Sequence, residues 1–307
     1  MTFRAGTRTA SVYGALLLMI GVMLPFMPVW LAARGFSIAD VAWALALQSV
    51  VRVVAMPVVT YWADRLAARR RFIIVLSCIA AVMMLMANLS DSVVAITAFV
   101  VLSAFAWSPV MPMLDAVAVE QSEAGHYDYG RVRIAGSVTF IAGSLGAGAM
   151  LTVLPATDLG WLLLATHVLL AVSALALPRL GAARQGLQRD MSLKAAGKVM
   201  LTASFILLIL VAGLTQASHA LYYGFGSLHW EAQGFSGVTI GTLWSIGVIA
   251  EIGLFIYARK PLNRFGPVGL LMGGAALGAV RWAVMAFDPP LAMTALLQVL
   301  HAGSYAL

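Results

Sequence analysis

Glu251, Arg281 and His301 lie in three separate apolar stretches, each long enough to cross a bilayer, in a 307-residue chain that is only 10% charged. A charge at the centre of a lipid-facing helix costs about 2.5–3.5 kcal/mol, so such residues face other helices, pair with one another and mark a path for a solute or proton. A carboxyl in that setting gains or loses its proton according to whether a cation stands beside it. Glu251 is therefore the best proton-carrier candidate and Arg281 the candidate switch of its state. His301 can take a proton near neutral pH and can orient a substrate through its two ring nitrogens. A static ion pair between helices, and a hydrogen-bonded structural histidine, are the plainer alternatives.

Other residues have chemistry of the same kind. Arg52 stands among Val50, Val51, Val53 and Val54 with no acid in its apolar run. It requires an anion, either a substrate carboxylate gripped by the guanidinium fork or a carboxylate on a distant span. Asp115 follows Trp107 by eight residues, on roughly the same face of a helix bent by Pro109 and Pro112, where pairing with Arg133 would satisfy both charges. Arg133 can equally be a basic label at the start of its span. Gln216, His219 and Tyr223 share a helical spacing, with Tyr222 and Phe225 beside them. Rings with polar groups among them suit an aromatic solute; the alternative is an interfacial aromatic belt. His126, His167 and His229 read as solvated or structural, and Cys78, the sole cysteine, reads as a small buried hydrophobe.

The elements that must position these residues are membrane spans. At 62% hydrophobic residues and a mean hydropathy of +0.95, the chain lies well outside the range of soluble domains, whose apolar share is roughly 45–50%. Ten apolar runs are legible: 11–33, 41–63, 72–90, 93–118, 133–154, 160–178, 202–227, 237–258, 268–287 and 290–307. The first, preceded by Arg4 and Arg8, predicts an uncleaved anchor. Sixteen of the nineteen Lys and Arg residues fall at the N-terminus and in alternate connections, against Arg34 alone in the others. That asymmetry predicts a cytoplasmic N-terminus in a bacterial-type inner membrane. It also makes the net charge of +7 an orientation device, with no nucleic-acid partner expected. The one long basic connection, 179–200, separates 1–178, expected to form a six-helix bundle, from 201–307, a partial bundle of four. No phosphate-cradling loop, nucleophile-base pair or metal-ligand cluster stands out, so neither an enzyme nor an ATP-driven pump is expected, and no cofactor or metal.

The halves look duplicated. The connection opening Asp64-Arg65 and running to Arg69, Arg70 and Arg71 has a counterpart 199 residues later, opening Asn263-Arg264. The first resembles the signature loop of the major facilitator superfamily, with Ala67 in place of its glycine and Thr60 in place of the leading one. The resemblance implies an all-α integral membrane protein of two six-helix bundles, about ten of whose helices are present here. It also implies a gate built from Asp64, Arg65, Arg69, Arg70, Asn263 and Arg264. The superfamily has twelve helices, so the end at Leu307 predicts that two spans are missing.

Five further stretches carry a narrower resemblance. They are Asp128 to Ser137, His219 to Phe225, Leu243 to Glu251, Val280-Arg281-Trp282 and Gln298 to His301. In that order they are similar to the 3-phenylpropionate permease family, near lactose permease. This implies a substrate grip at Asp115 and Arg133, a stacking ring at Phe140, and a proton set of Glu251, Arg281 and His301. Where lactose permease keeps a second glutamate this chain has Ser304, so coupling must use another group or fail. The expectation is proton-coupled uptake of a small aromatic carboxylate by alternating access, in a monomer whose partners are substrate, protons and lipid. Uptake is favoured over export because the fifth span lacks a Gly-Pro pattern. The alternatives are a sugar or nucleoside symporter, and an inactive truncated remnant.

Overall fold

The computed structural model describes residues 2–178, 198–257 and 259–306. Most of the central basic connection, with Arg179, Arg184, Arg189 and Lys194, lies outside the described residues, as do the side chains of Arg4, Arg131, Arg259 and Lys260. The described elements are all helical: α1 (Thr2–Ala33), α2 (Ile38–Arg65), α3 (Arg69–Leu89), α4 (Val93–Trp107), α5 (Val110–Glu123), α6 (Tyr129–Met150), α7 (Leu159–Leu175), α8 (Ala203–Ala217), α9 (Ala220–Ala232), α10 (Gly237–Tyr257), α11 (Arg259–Met285) and α12 (Leu291–Ala306). Among the described residues nine segments are long and apolar enough to cross a membrane. The tenth predicted run is realised as α12, a helix of 16 residues, shorter than the usual span.

Two spans are broken. The fourth divides between α4 and α5 at Ser108 and Pro109, because proline lacks the N–H that would continue the ladder. The seventh divides between α8 and α9 at Ser218 and His219, with no proline nearby. There the Ser218 hydroxyl donates to the Thr215 carbonyl at 2.7 Å and the His219 ring Nδ1 approaches the same oxygen at 2.9 Å. Side chains competing for a backbone acceptor loosen the helix at that turn.

The chain divides into two compact units. One comprises Met1–Gly181 with Gly224–Thr242, and the other Ala182–Tyr223 with Leu243–Leu307. This division differs from the one read in the sequence, since 224–242 joins the N-terminal unit. Within that unit α1 packs on α6 and α7, α3 on α4 and α7, and α2 chiefly on α4. Glycines bring α1 and α6 to backbone contact: a Cβ on Gly143 would lie 2.5 Å from the Leu18 carbonyl oxygen, and one on Gly21 2.3 Å from that of Phe140. Lipid supplies no hydrophobic drive between helices, so this close packing substitutes for it. In the other unit α11 packs on α12, and both touch α8.

Candidate functional site

The basic loop between α2 and α3 is a built network. Asp64 ends α2, Ala67 turns the chain at φ 48°, and Arg69 at the start of α3 binds both Asp64 and Glu120 of α5. Arg70 donates to the Leu177 and Leu175 carbonyls at 2.7 and 3.0 Å, closing the free end of α7. Arg65 takes no part, turning back along its own helix to Tyr61 Oη at 2.8 Å and lying over Trp62. In the second turn, at a kink inside α11, the backbone repeats, and among the described residues the network does not. Gly266, three residues after Asn263 as Ala67 is after Asp64, also has positive φ (66°), while Arg264 lies over the Phe265 ring and Asn263 is exposed.

Asp115 on α5 accepts a hydrogen bond from Tyr129 Oη at 2.9 Å, with Arg133 Nη1 further away at 3.8 Å. Tyr129 was missed as a site residue, although the spacing of 129 and 133 puts both on one face of α6, aimed at one carboxylate. Phe140, expected as a stacking ring, is buried at 6% exposure with its backbone against Gly21, so it presents no open face in this conformation. Arg52 donates to the Gln48 carbonyl at 3.3 Å and to Ser49 Oγ at 3.1 Å, both on its own helix, and lies 5.9 Å from the Trp107 ring.

In the other unit Arg281 is fully buried and held from every side. It donates to the Leu297 carbonyl (3.0 Å) and Gln298 Oε1 (3.2 Å), its Nη1 meets His301 Nδ1 at 3.1 Å, and its guanidinium lies 4.7 Å from the Tyr222 ring and 4.4 Å from the Trp282 ring, two rings that adjoin each other. Such stacking is worth about 2 kcal/mol once desolvated. The expected direct pairing of Arg281 with Glu251 is replaced by a chain: His301 stands between them, its Nε2 3.4 Å from Glu251 Oε1 and 3.3 Å from Tyr223 Oη. A neutral imidazole protonated on Nε2 satisfies both neighbours, accepting from Arg281 at Nδ1 and donating towards Glu251. A proton on Nδ1 would set N–H against N–H. Arg281 therefore fixes the tautomer of His301, and the chain ends on the Glu251 carboxyl.

His219 is fully buried where α8 meets α9, its Nε2 3.4 Å from Ser304 Oγ. Tyr223 stacks with Trp244, His301 with Tyr305, and Gln216 makes only a long contact of 3.4 Å to the Tyr305 carbonyl. Gln298 and Trp244 were missed. Gln298 is fully buried and accepts from both Tyr222 (2.7 Å) and Arg281 (3.2 Å). Helical spacing carried the signal, since Gln298 precedes His301 by three residues and Trp244 precedes Glu251 by seven. No group of three or more His, Cys, Asp or Glu suited to a metal occurs among the described residues. A cavity of about 230 Å³ at the junction of α6, α9 and α10 contains none of the predicted site residues.

The family model described as MFS_1 like matches residues 10–307, nearly the whole chain. The chain belongs to this family. It is 29% identical over 297 residues to a probable 3-phenylpropionic acid transporter of Escherichia coli K12, covering 93% of this chain and 75% of that one. It is 26% identical to the maltose permease of Geobacillus stearothermophilus, covering 88% and 68%. Among solved structures the nucleoside transporter NupG superposes with a TM-score of 0.82 at 16% identity, covering 98% of this chain and 79% of that one. A bacterial homologue of the lysosomal transporter Spinster gives 0.71 at 17%, covering 99% and 73%. The chain is thus a multi-pass membrane protein of the transporter family with the major facilitator fold.

Proposed function

We propose that this MFS_1-like chain carries out proton-coupled uptake of a small aromatic carboxylate by alternating access, in an inner membrane with its N-terminus in the cytoplasm. The observation that carries the reading is the chain Arg281–His301–Glu251, which joins α11, α12 and α10 and ends on one carboxyl. Protonating Glu251 removes its pull on the His301 Nε2–H, freeing the ring to turn towards Tyr223. A change of charge at one carboxyl becomes a change in how three helices are tied together. Glu251 thus supplies the titrating group that Ser304 does not, and Ser304 serves His219 instead. The gate is the Asp64–Arg69–Glu120 network with Arg70 on the end of α7; within the N-terminal unit the substrate is held by Asp115, Arg133 and Arg52, and His219 and Tyr223 are the binding residues of the other unit.

The aromatic acid is favoured over a sugar by the ring-lined cluster of Tyr222, Tyr223, Trp244 and Trp282 and by the likeness to the 3-phenylpropionic acid transporter. Uptake into proteoliposomes tests it. Labelled 3-phenylpropionate should accumulate under an inward proton gradient; entry of a galactoside or nucleoside in its place would overturn the substrate class.

A further inference from the structure

Arg52 is a half-buried guanidinium that its own unit leaves without an anion. Among the described residues no carboxylate pairs with it, and its two hydrogen bonds go to Gln48 and Ser49 of the same helix, leaving Nη1 unused. The neighbouring arginines are committed. Arg34 binds the Asn88 carbonyl and Asp91, Arg69 binds two carboxylates, Arg70 binds the end of α7, and Arg133 stands beside Asp115.

Position sharpens the point. Val41, Ala44, Gln48, Ala55, Val59 and Ala63 form the buried stripe of α2. Arg52 continues that stripe, four residues after Gln48 and three before Ala55, yet is only half buried. It therefore faces protein while part of its surface stays accessible. It lies mid-helix, roughly 20 Å from either end of α2, further than a side chain can reach to a lipid phosphate. What stands next to it is the Trp107 ring, at the end of α4 where Pro109 breaks the fourth span. That ring is buried, so it backs the guanidinium while Nη1 stays unused, and a planar fork with a spare N–H donor matches a carboxylate.

We infer that Arg52, backed by the buried Trp107 ring, forms the anion subsite of the N-terminal unit and holds the carboxylate of a small aromatic acid. This rests on the transport reading above and locates the group that makes the substrate an acid. The test is binding of 3-phenylpropionate and of its neutral amide to the purified full chain by calorimetry, in wild type, Arg52→Gln, Arg52→Lys and Trp107→Leu. Arg52→Gln should weaken the acid about tenfold or more and shift the amide by less than about twofold, since only the acid loses a charged hydrogen bond. Arg52→Lys should recover part of the loss, and Trp107→Leu, which removes the ring backing Arg52, should weaken the acid more than the amide. Equal acid binding in wild type and Arg52→Gln overturns the role of Arg52 alone. Parallel loss of acid and amide in both Arg52 variants assigns it a structural role and also overturns the inference. A wild-type chain that binds no aromatic acid removes the transport reading together with it.

Discussion

A buried charge is decided by its immediate neighbours, and Arg281 is the clearest case. Its N–H groups meet a carbonyl, an amide oxygen and an imidazole nitrogen, none of them an acid, and two aromatic rings lie against it. Removing one neutral partner leaves a buried charged donor unsatisfied, which costs about 1.5–3 kcal/mol. Gln298→Leu should therefore lower the detergent-solubilised Tm clearly, while Tyr223→Phe, which keeps the ring and leaves Arg281 untouched, should lower it less. Glu251→Gln keeps the volume and loses the titrating proton. It should abolish accumulation against a gradient while sparing counterflow exchange of substrate, and accumulation by this variant would rule Glu251 out as the carrier. The candidate residues stand out in the sequence because ionisable groups are so scarce in apolar runs. Their partners do not: the sequence points to a Glu251–Arg281 pair, and only the register of α10, α11 and α12 puts His301 between them.

At the level of elements the loops and seams decide. Ala67 occupies a left-handed turn that costs a residue with a Cβ about 1–2 kcal/mol, while the matching turn has Gly266. Ala67→Gly should relieve that strain and raise the Tm, provided the Arg69 bridge between Asp64 and Glu120 stays made. The opposite is expected at the α1–α6 seam. A Cβ on Gly143 would press into the Leu18 carbonyl, so Gly143→Ala must push two backbones apart. It should reduce folded yield far more than alanine at Gly146, where nothing lies within 4 Å. The paired loops were visible as an Asp/Asn-Arg repeat and recur as paired positive φ values, but their ion networks differ. The break at His219 was invisible, because it arises from side-chain competition for the Thr215 carbonyl in a stretch with no glycine or proline at the break.

For the whole molecule the open question is direction. The distribution of Lys and Arg predicts an N-terminus on the cytoplasmic side, and the single Cys78 makes a labelling test simple. In a Cys78→Ser background, a cysteine at Ala68 should react with an impermeant maleimide only in inverted vesicles. One at Gly35 should react only in intact cells. The reverse pattern would invert the topology and overturn the cytoplasmic N-terminus.

Composition and hydropathy by themselves determined that this chain is a many-span helical membrane protein. Water-free surroundings force apolar residues and intrahelical hydrogen bonds on every span, and that demand is written locally along the sequence. The Asp64 loop and the ordered motifs carried the family. Tertiary structure alone decided which buried charge meets which neighbour: His301 between Arg281 and Glu251, Tyr129 ahead of Arg133 at Asp115, Arg52 beside Trp107 with no acid paired to it among the described residues. Those pairings depend on helix register and rotation to within a few ångströms, set by glycine contacts and side-chain packing between segments far apart in the chain.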